Sequence, residues 1–157
     1  MKNVLPALCA RILLISATLT APAQDPSAPI HQFIDGFNSG NVQSAMSTYA
    51  SGNIAIVDEF APHLWTGPHA AQDWAAAYDK HAAATGVTDG KVTYGKATRV
   101  EITGDLAYVV MPTKYLYKEH GKPLVEEGQI TAVLHKEGGA WKMRGWTWSG
   151  VKPHAPK

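Results

Sequence analysis

The spacing of apolar residues changes once along this chain, and that change limits the folds open to it. Up to about Gly86 they recur with a period near 3.6, and from Lys91 onward with a period near 2. Ser27 is placed to cap a first helix in which Ile30, Phe33, Ile34 and Phe37 share a face, and Asn38-Ser39-Gly40 ends it. Asn41 is placed to cap a second, shorter helix whose buried face is Val42, Ala45, Met46 and Tyr49. Ser51-Gly52-Asn53 reads as a turn and Ile54 to Asp58 as a strand, while Phe60 to Pro68 reads as irregular. A third helix is expected from His69 to Ala83, where alanine forms helix cheaply and Trp74, Tyr78 and His81 lie along one side.

Four long strands are expected next: Lys91–Ile102, Leu106–Lys118, Leu124–His135 and Ala140–Ser149. The separators Thr103-Gly104-Asp105, Glu119-His120-Gly121 and Lys136-Glu137-Gly138-Gly139 have the composition of hairpin turns. Helices first and strands afterwards predict an α+β domain, with three N-terminal helices packed on a strongly curved, mainly antiparallel sheet that encloses a pocket. Five strands are too few for a lipocalin-like barrel, which needs about eight. The segment from Lys152 to Lys157 is expected to be a flexible tail.

Residues 1–23 read as a leader. Lys2 precedes a short apolar run from Ile12 to Leu19, and Ala21-Pro22-Ala23 suits cleavage before Gln24. Arg11 and Pro6 break the run, leaving it well short of the roughly 20 residues of a membrane span. The single cysteine, Cys9, falls inside this segment, so the domain expected over residues 24–151 has no thiol chemistry. Without the leader, 12 basic side chains face 13 acidic ones, a balance that gives no long-range attraction to nucleic acid or anionic lipid. The expected product is periplasmic or secreted, without stable membrane insertion.

Several segments, in order, carry a family resemblance: Phe37-Asn38-Ser39-Gly40-Asn41, Tyr49-Ala50, Val57-Asp58-Glu59 and Trp65-Thr66-Gly67. The helix around Trp74 to Tyr78, then Gly104-Asp105-Leu106-Ala107-Tyr108 and Trp146-Thr147-Trp148-Ser149, complete them. With these the chain resembles a secreted bacterial member of the nuclear-transport-factor-2-like superfamily, which includes SnoaL-like and ketosteroid-isomerase-like domains. The resemblance implies a cone-shaped domain around an apolar cavity, and a homodimer formed through the open sheet face. It implies chemistry less sharply, since members range from isomerases, cyclases and dehydratases to binding modules without turnover.

Asp58 matches the position of the carboxylate base in the isomerases, with Glu59 as the alternative if the register slips by one. Independently, a carboxylate ending an apolar strand beside an aromatic cavity has its charged form disfavoured, which moves its pKa towards that of a useful base. The rest of the isomerase apparatus departs from the family: Phe33 stands where a tyrosine would donate to an oxyanion. Gly128, flanked by Glu126, Glu127 and Gln129, stands approximately where a neutral carboxylic acid would. His63, in the Pro62–Pro68 loop, is a candidate proton relay, and Arg144, sharing strand parity with Trp146 and Trp148, a candidate oxyanion partner. Tyr115 and Tyr117 share a face with Met111 and Thr113, and the resemblance turns that face towards the helices.

Phe33, Phe37, Trp65, Trp74, Tyr78, Tyr115, Trp146 and Trp148 are the expected ligand-binding residues. Rings carrying N–H and O–H groups suit an amphipathic or aromatic ligand better than plain filling does. No H-x-x-x-H or H-E-x-x-H pattern, G-x-S-x-G elbow or phosphate-binding glycine loop is present, so no metal or cofactor is expected. The expected function is binding of a small apolar or aromatic metabolite. Cofactor-independent isomerisation, cyclisation or dehydration of an apolar oxygenated molecule is one form of it, and a pocket without turnover is the other.

Overall fold

Pro29 lies in the first turn of α1 (Ala28–Ser39), where its missing N–H costs no helical bond, and Gly40 ends the helix in the left-handed conformation. Ser27 makes no side-chain cap; its carbonyl accepts from Ile30 and His31, and its N–H donates to Asp25. Asn41 does cap α2 (Val42–Met46), accepting from the Ser44 N–H at 3.0 Å. Only Ala45 of α2 is deeply buried, and Val42 is 63 % exposed, because the helix lies tangentially on α1. At the crossing Gly36 approaches Ala45 so closely that an added Cβ would lie 2.8 Å from its amide nitrogen.

The structure, a computed structural model, describes residues 24–157; the leader expected over residues 1–23 lies outside the described residues. α3 (Ala70–Thr85) completes the helices, and the strands are β1 (Ile54–Val57), β2 (Leu64–Gly67), β3 (Val87–Tyr94), β4 (Arg99–Thr103), β5 (Leu106–Glu119), β6 (Lys122–Glu137) and β7 (Ala140–Gly150). β2 lies inside the segment expected to be irregular, and the expected strand Lys91–Ile102 is two strands broken between Tyr94 and Arg99. Both halves pair with β5, and Gly95 and Thr98 keep the connection on its edge by donating to the Pro112 and Val110 carbonyls.

The expectation of a strongly curved sheet enclosing the pocket is overturned, although its strand pairs are mainly antiparallel. The strand order runs β2-β1-β7-β6-β5-β3, with β4 also on β5, so the sheet has free ends and is neither closed nor strongly curled. It is also mixed: β1 runs parallel to β7, with Ile56 opposite Trp146. The reason is connectivity. The early strand joins the far side of the final one and widens the sheet, which long hairpins alone would not disclose. The cavity therefore lies between the helices and one face of an open sheet, not inside a curled one.

The core between these layers centres on Ile30, Ile56, Val109, Met111, Leu134 and Met143, each fully buried. Asn38 ties α1 to β3 as a strand would, donating to the Val92 carbonyl at 2.7 Å and accepting from its N–H at 2.8 Å. In the segment 152–157, His154 bridges Val125 of β6 through both backbone groups and contacts Glu127 at 2.7 Å. Among the described residues no helix is long and apolar enough to cross a membrane.

Candidate functional site

A cavity of about 410 Å³ opens between α1, α3 and the inner face of β5, β6 and β7. Strand parity decides which side chains enter it. On β5, Met111, Thr113, Tyr115 and Tyr117 point inward, whereas Tyr108 is exposed on the other face. On β6 the inward set is Glu126, Gly128, Ile130, Ala132 and Leu134. On β7 a bulge intervenes: Val133 pairs with Gly145 but Leu134 pairs with Met143, which leaves Arg144 unpaired and resets the inward set to Trp146 and Trp148.

That bulge corrects the expectation for Arg144. Its parity with Trp146 holds in the sequence, but the inserted residue turns it out to solvent, away from the cavity. His63 is likewise exposed and does not line the cavity; its carbonyl accepts from the Asp58 N–H at 3.1 Å, bracing the strand end. Trp65 is buried against Phe60, ring centroids 5.1 Å apart, and belongs to the core rather than the cavity wall. The other seven expected ligand-binding rings line the cavity: Phe33, Phe37, Trp74, Tyr78, Tyr115, Trp146 and Trp148. Phe33, whose missing hydroxyl set it apart, packs its ring on Tyr49, Trp74 and Trp146.

Asp58 lines the cavity at the end of β1. Its Oδ2 accepts from the Trp74 indole N–H at 2.8 Å, and its Oδ1 accepts from the Glu59 N–H at 2.8 Å. Burial pushes its pKa above the ordinary carboxylate range, and these two donors only partly offset that. Across the cavity the Tyr78 and Tyr115 hydroxyls lie 2.6 Å apart. One donates to the other, so the acceptor's own proton is free to point at a ligand.

Two acids that were given no place among the candidate residues, or only an alternative one, complete the site. Glu126 is 2 % exposed; its Oε1 accepts from the Tyr117 hydroxyl at 2.6 Å, and its Oε2 has no donor. Glu59 faces it, and burial together with the neighbouring Glu126 carboxyl pushes the Glu59 pKa up to about 8. A Glu59 carboxyl that holds its proton at neutral pH can donate it towards Glu126. The sequence did carry the signal for Glu126, which shares its alternation with buried Ile130, Ala132 and Leu134. An acid in an inward register is the mark of a site. Gly128, two residues on, leaves space for the Trp148 indole: an added Cβ would lie 2.6 Å from its Cζ2. The carboxyl that Gly128 lacks is thus supplied one step earlier on the same face.

This helix-covered mixed sheet is a fold shared with solved structures described as ketosteroid isomerase-like and NTF-2-like. The chain belongs to the SnoaL-like domain family, which matches residues 27–151. Among solved structures it is similar to a ketosteroid isomerase-like protein from Erwinia carotovora atroseptica, at 18 % identity and TM-score 0.62 over 81 % of this chain and 94 % of that one. A type 2 hexachlorocyclohexane dehydrochlorinase (LinA) is similar at 13 % identity and TM-score 0.68 over 83 % and 88 %. The CaMKII hub of S. rosetta is similar at 20 % identity and TM-score 0.61 over 84 % and 98 %. Identities this low carry the fold alone. No curated protein matches the chain.

Proposed function

We propose that the cavity binds a small apolar or aromatic metabolite and moves a proton on it without a cofactor, in an isomerisation, cyclisation or dehydration. The observation that carries this reading is Asp58: a carboxyl held at the cavity wall by Trp74 and its own neighbour, with its proton affinity raised by burial. Such a group takes a proton from carbon beside a carbonyl more readily than a solvated carboxylate does. The Tyr78–Tyr115 pair supplies a hydroxyl for the oxygen that gains charge as the proton leaves. The isomerase-like and dehydrochlorinase structures support the reading as relatives whose names describe small-molecule enzymes.

The test is a thermal-shift screen of aromatic and terpenoid ketones, followed by solvent deuterium incorporation into each ligand found. The wild type is expected to exchange the acidic C–H, and Asp58→Asn to bind the same ligand with exchange lowered at least about 100-fold. Equal exchange in both proteins removes Asp58 from the reaction. A ligand bound by both without exchange supports the second reading, a binding or accessory module without turnover. That reading draws on the two donors already occupying the Asp58 carboxylate and on the similarity to a hub domain.

Two further expectations are carried as proposals. Export of the chain to the periplasm or beyond after removal of residues 1–23 is tested by N-terminal sequencing of the exported product, which is expected to begin at Gln24. A homodimer through the outer sheet face draws on Val57, Tyr108 and Val133, which are exposed there. It is tested by sedimentation of wild type and Val133→Lys.

A further inference from the structure

Charge is distributed one-sidedly around the cavity. Asp58, Glu59, Glu119 and Glu126 line it, and among the described residues no lysine or arginine does. The exposed ion pairs Lys114–Glu127 and Lys118–Asp89 lie outside its wall. An anionic ligand would meet four carboxyls and no compensating cation. The second observation is independent of the count: the buried Oε2 of Glu126, at the cavity wall, has no hydrogen-bond donor. A buried carboxylate oxygen without a donor is costly, and the sources of one within reach are the Glu59 proton and whatever fills the cavity. The third is the aromatic part of the wall, whose Trp74 indole already reaches Asp58. Trp74 and Tyr78 lie nearly parallel, 25° apart with centroids separated by 6.0 Å, and Phe60 adds a further face. Aromatic faces attract a desolvated cation.

We propose that the ligand of this cavity is an organic cation, an ammonium group on an apolar or aromatic body. Its charged nitrogen sits against Glu126 and Glu59, and its body packs on Trp74 and Tyr78. A metal cation is the less fitting occupant, because among the described residues no three His, Cys, Asp or Glu side chains are grouped to ligate one. Glu59 strengthens the case. In the empty cavity its proton serves the carboxyl pair, and an arriving ammonium group replaces that proton with a fixed charge. Binding is therefore accompanied by proton release and tightens as pH rises through about 8. The other titratable groups facing this pair are Asp58, Glu119, His81 and the three phenols of Tyr78, Tyr115 and Tyr117. All three phenols are held above their ordinary range and keep their protons over that interval.

The inference rests on the reading of the cavity as a small-molecule site but not on turnover at Asp58. It is tested on the chain with three probes built on one phenylethyl body: 2-phenylethylammonium, whose N–H groups can donate, its neutral carbon isostere propylbenzene, and 3-phenylpropionate. Tryptophan fluorescence and NMR shifts of the indole N–H groups report occupancy. The ammonium probe is expected to bind at least tenfold more tightly than the neutral one. Glu126→Gln is expected to remove most of that preference of the ammonium over propylbenzene, and Glu59→Gln to abolish proton release in calorimetry across two buffers. Binding of the neutral or anionic probe as tight as that of the cation overturns the inference and leaves the small-molecule reading standing. No binding of any of the three overturns both. The wild-type comparison decides even where a variant fails to fold.

Discussion

Replacing Glu126 by glutamine keeps the shape and the acceptor for the Tyr117 hydroxyl but removes the charge that Glu59 faces. In the wild type Glu59 is raised from 4.5 to about 8 by burial first, then by the closeness and the charge of the Glu126 carboxyl, and least by Asp58. Losing both Glu126 contributions leaves burial and Asp58, and the Glu59 midpoint is expected to fall by about one to two pH units. The sign for stability follows from proton counting. Between 4.5 and about 8 the folded chain holds a proton that the unfolded chain has lost, so stability falls as pH rises across that window. One full proton gives a slope of about 1.4 kcal/mol per pH unit. Glu59 is itself more than a third exposed, so solvent screening reduces the accumulated loss to on the order of 1–2 kcal/mol. The assay is carbon-detected NMR titration of the glutamate carboxyls, with urea unfolding at several pH values beside it. Wild type is expected to show one glutamate titrating near 8 and a decline in stability up to that pH; Glu126→Gln is expected to lower the first and flatten the second. If no glutamate titrates above about 6 in the wild type, or if its midpoint is unmoved in the variant, the shared-proton account is wrong.

Trp74→Phe removes the donor on Asp58 Oδ2, so the Asp58 midpoint should rise further and stability at neutral pH should drop by about 1.5–3 kcal/mol, as read by the same titration and by urea midpoints. Gly145→Ala places a Cβ 2.5 Å from the Ala55 carbonyl oxygen, where β1 meets the β7 bulge. A loss of about 1–3 kcal/mol in urea unfolding is expected, and a neutral result would contradict the close approach. Asn38→Ala should speed amide exchange at Val92 more than at Val109, since only the former amide depends on the side chain of α1.

Helix existence and the long hairpins were legible because period and turn chemistry are local. Gly40 and Gly86 ended the helices they were expected to end, and Asn41 made its cap. Sheet closure was not legible, because the β1–β7 pairing joins segments most of the chain apart and has no local signature. Among the site residues, seven rings and Asp58 followed from periodicity and resemblance, since a side chain's face is fixed by its neighbours in register. Arg144 did not follow, because a single inserted residue inverts parity and nothing in Met143-Arg144-Gly145 marks the insertion apart from a glycine. Glu126 was legible in principle. It stands on the inward alternation of β6, two residues before Gly128, and lines the cavity.

The parallel contact between β1 and β7 has a consequence for the order in which the molecule is made. Asp58 is synthesised early, yet the strand beside its own, with Trp146 and Trp148, is the last strand synthesised, after β3 to β6. While the chain is emerging, β1 and β2 form a two-stranded ribbon without a neighbour, too small to be stable by itself. Pro153 and His154 come later still, one lining the cavity and the other pairing with Val125. The binding wall is therefore among the last parts of the chain to assemble. A ribosome-stalled chain ending before Trp146 would hold helices and hairpins but no place for a ligand.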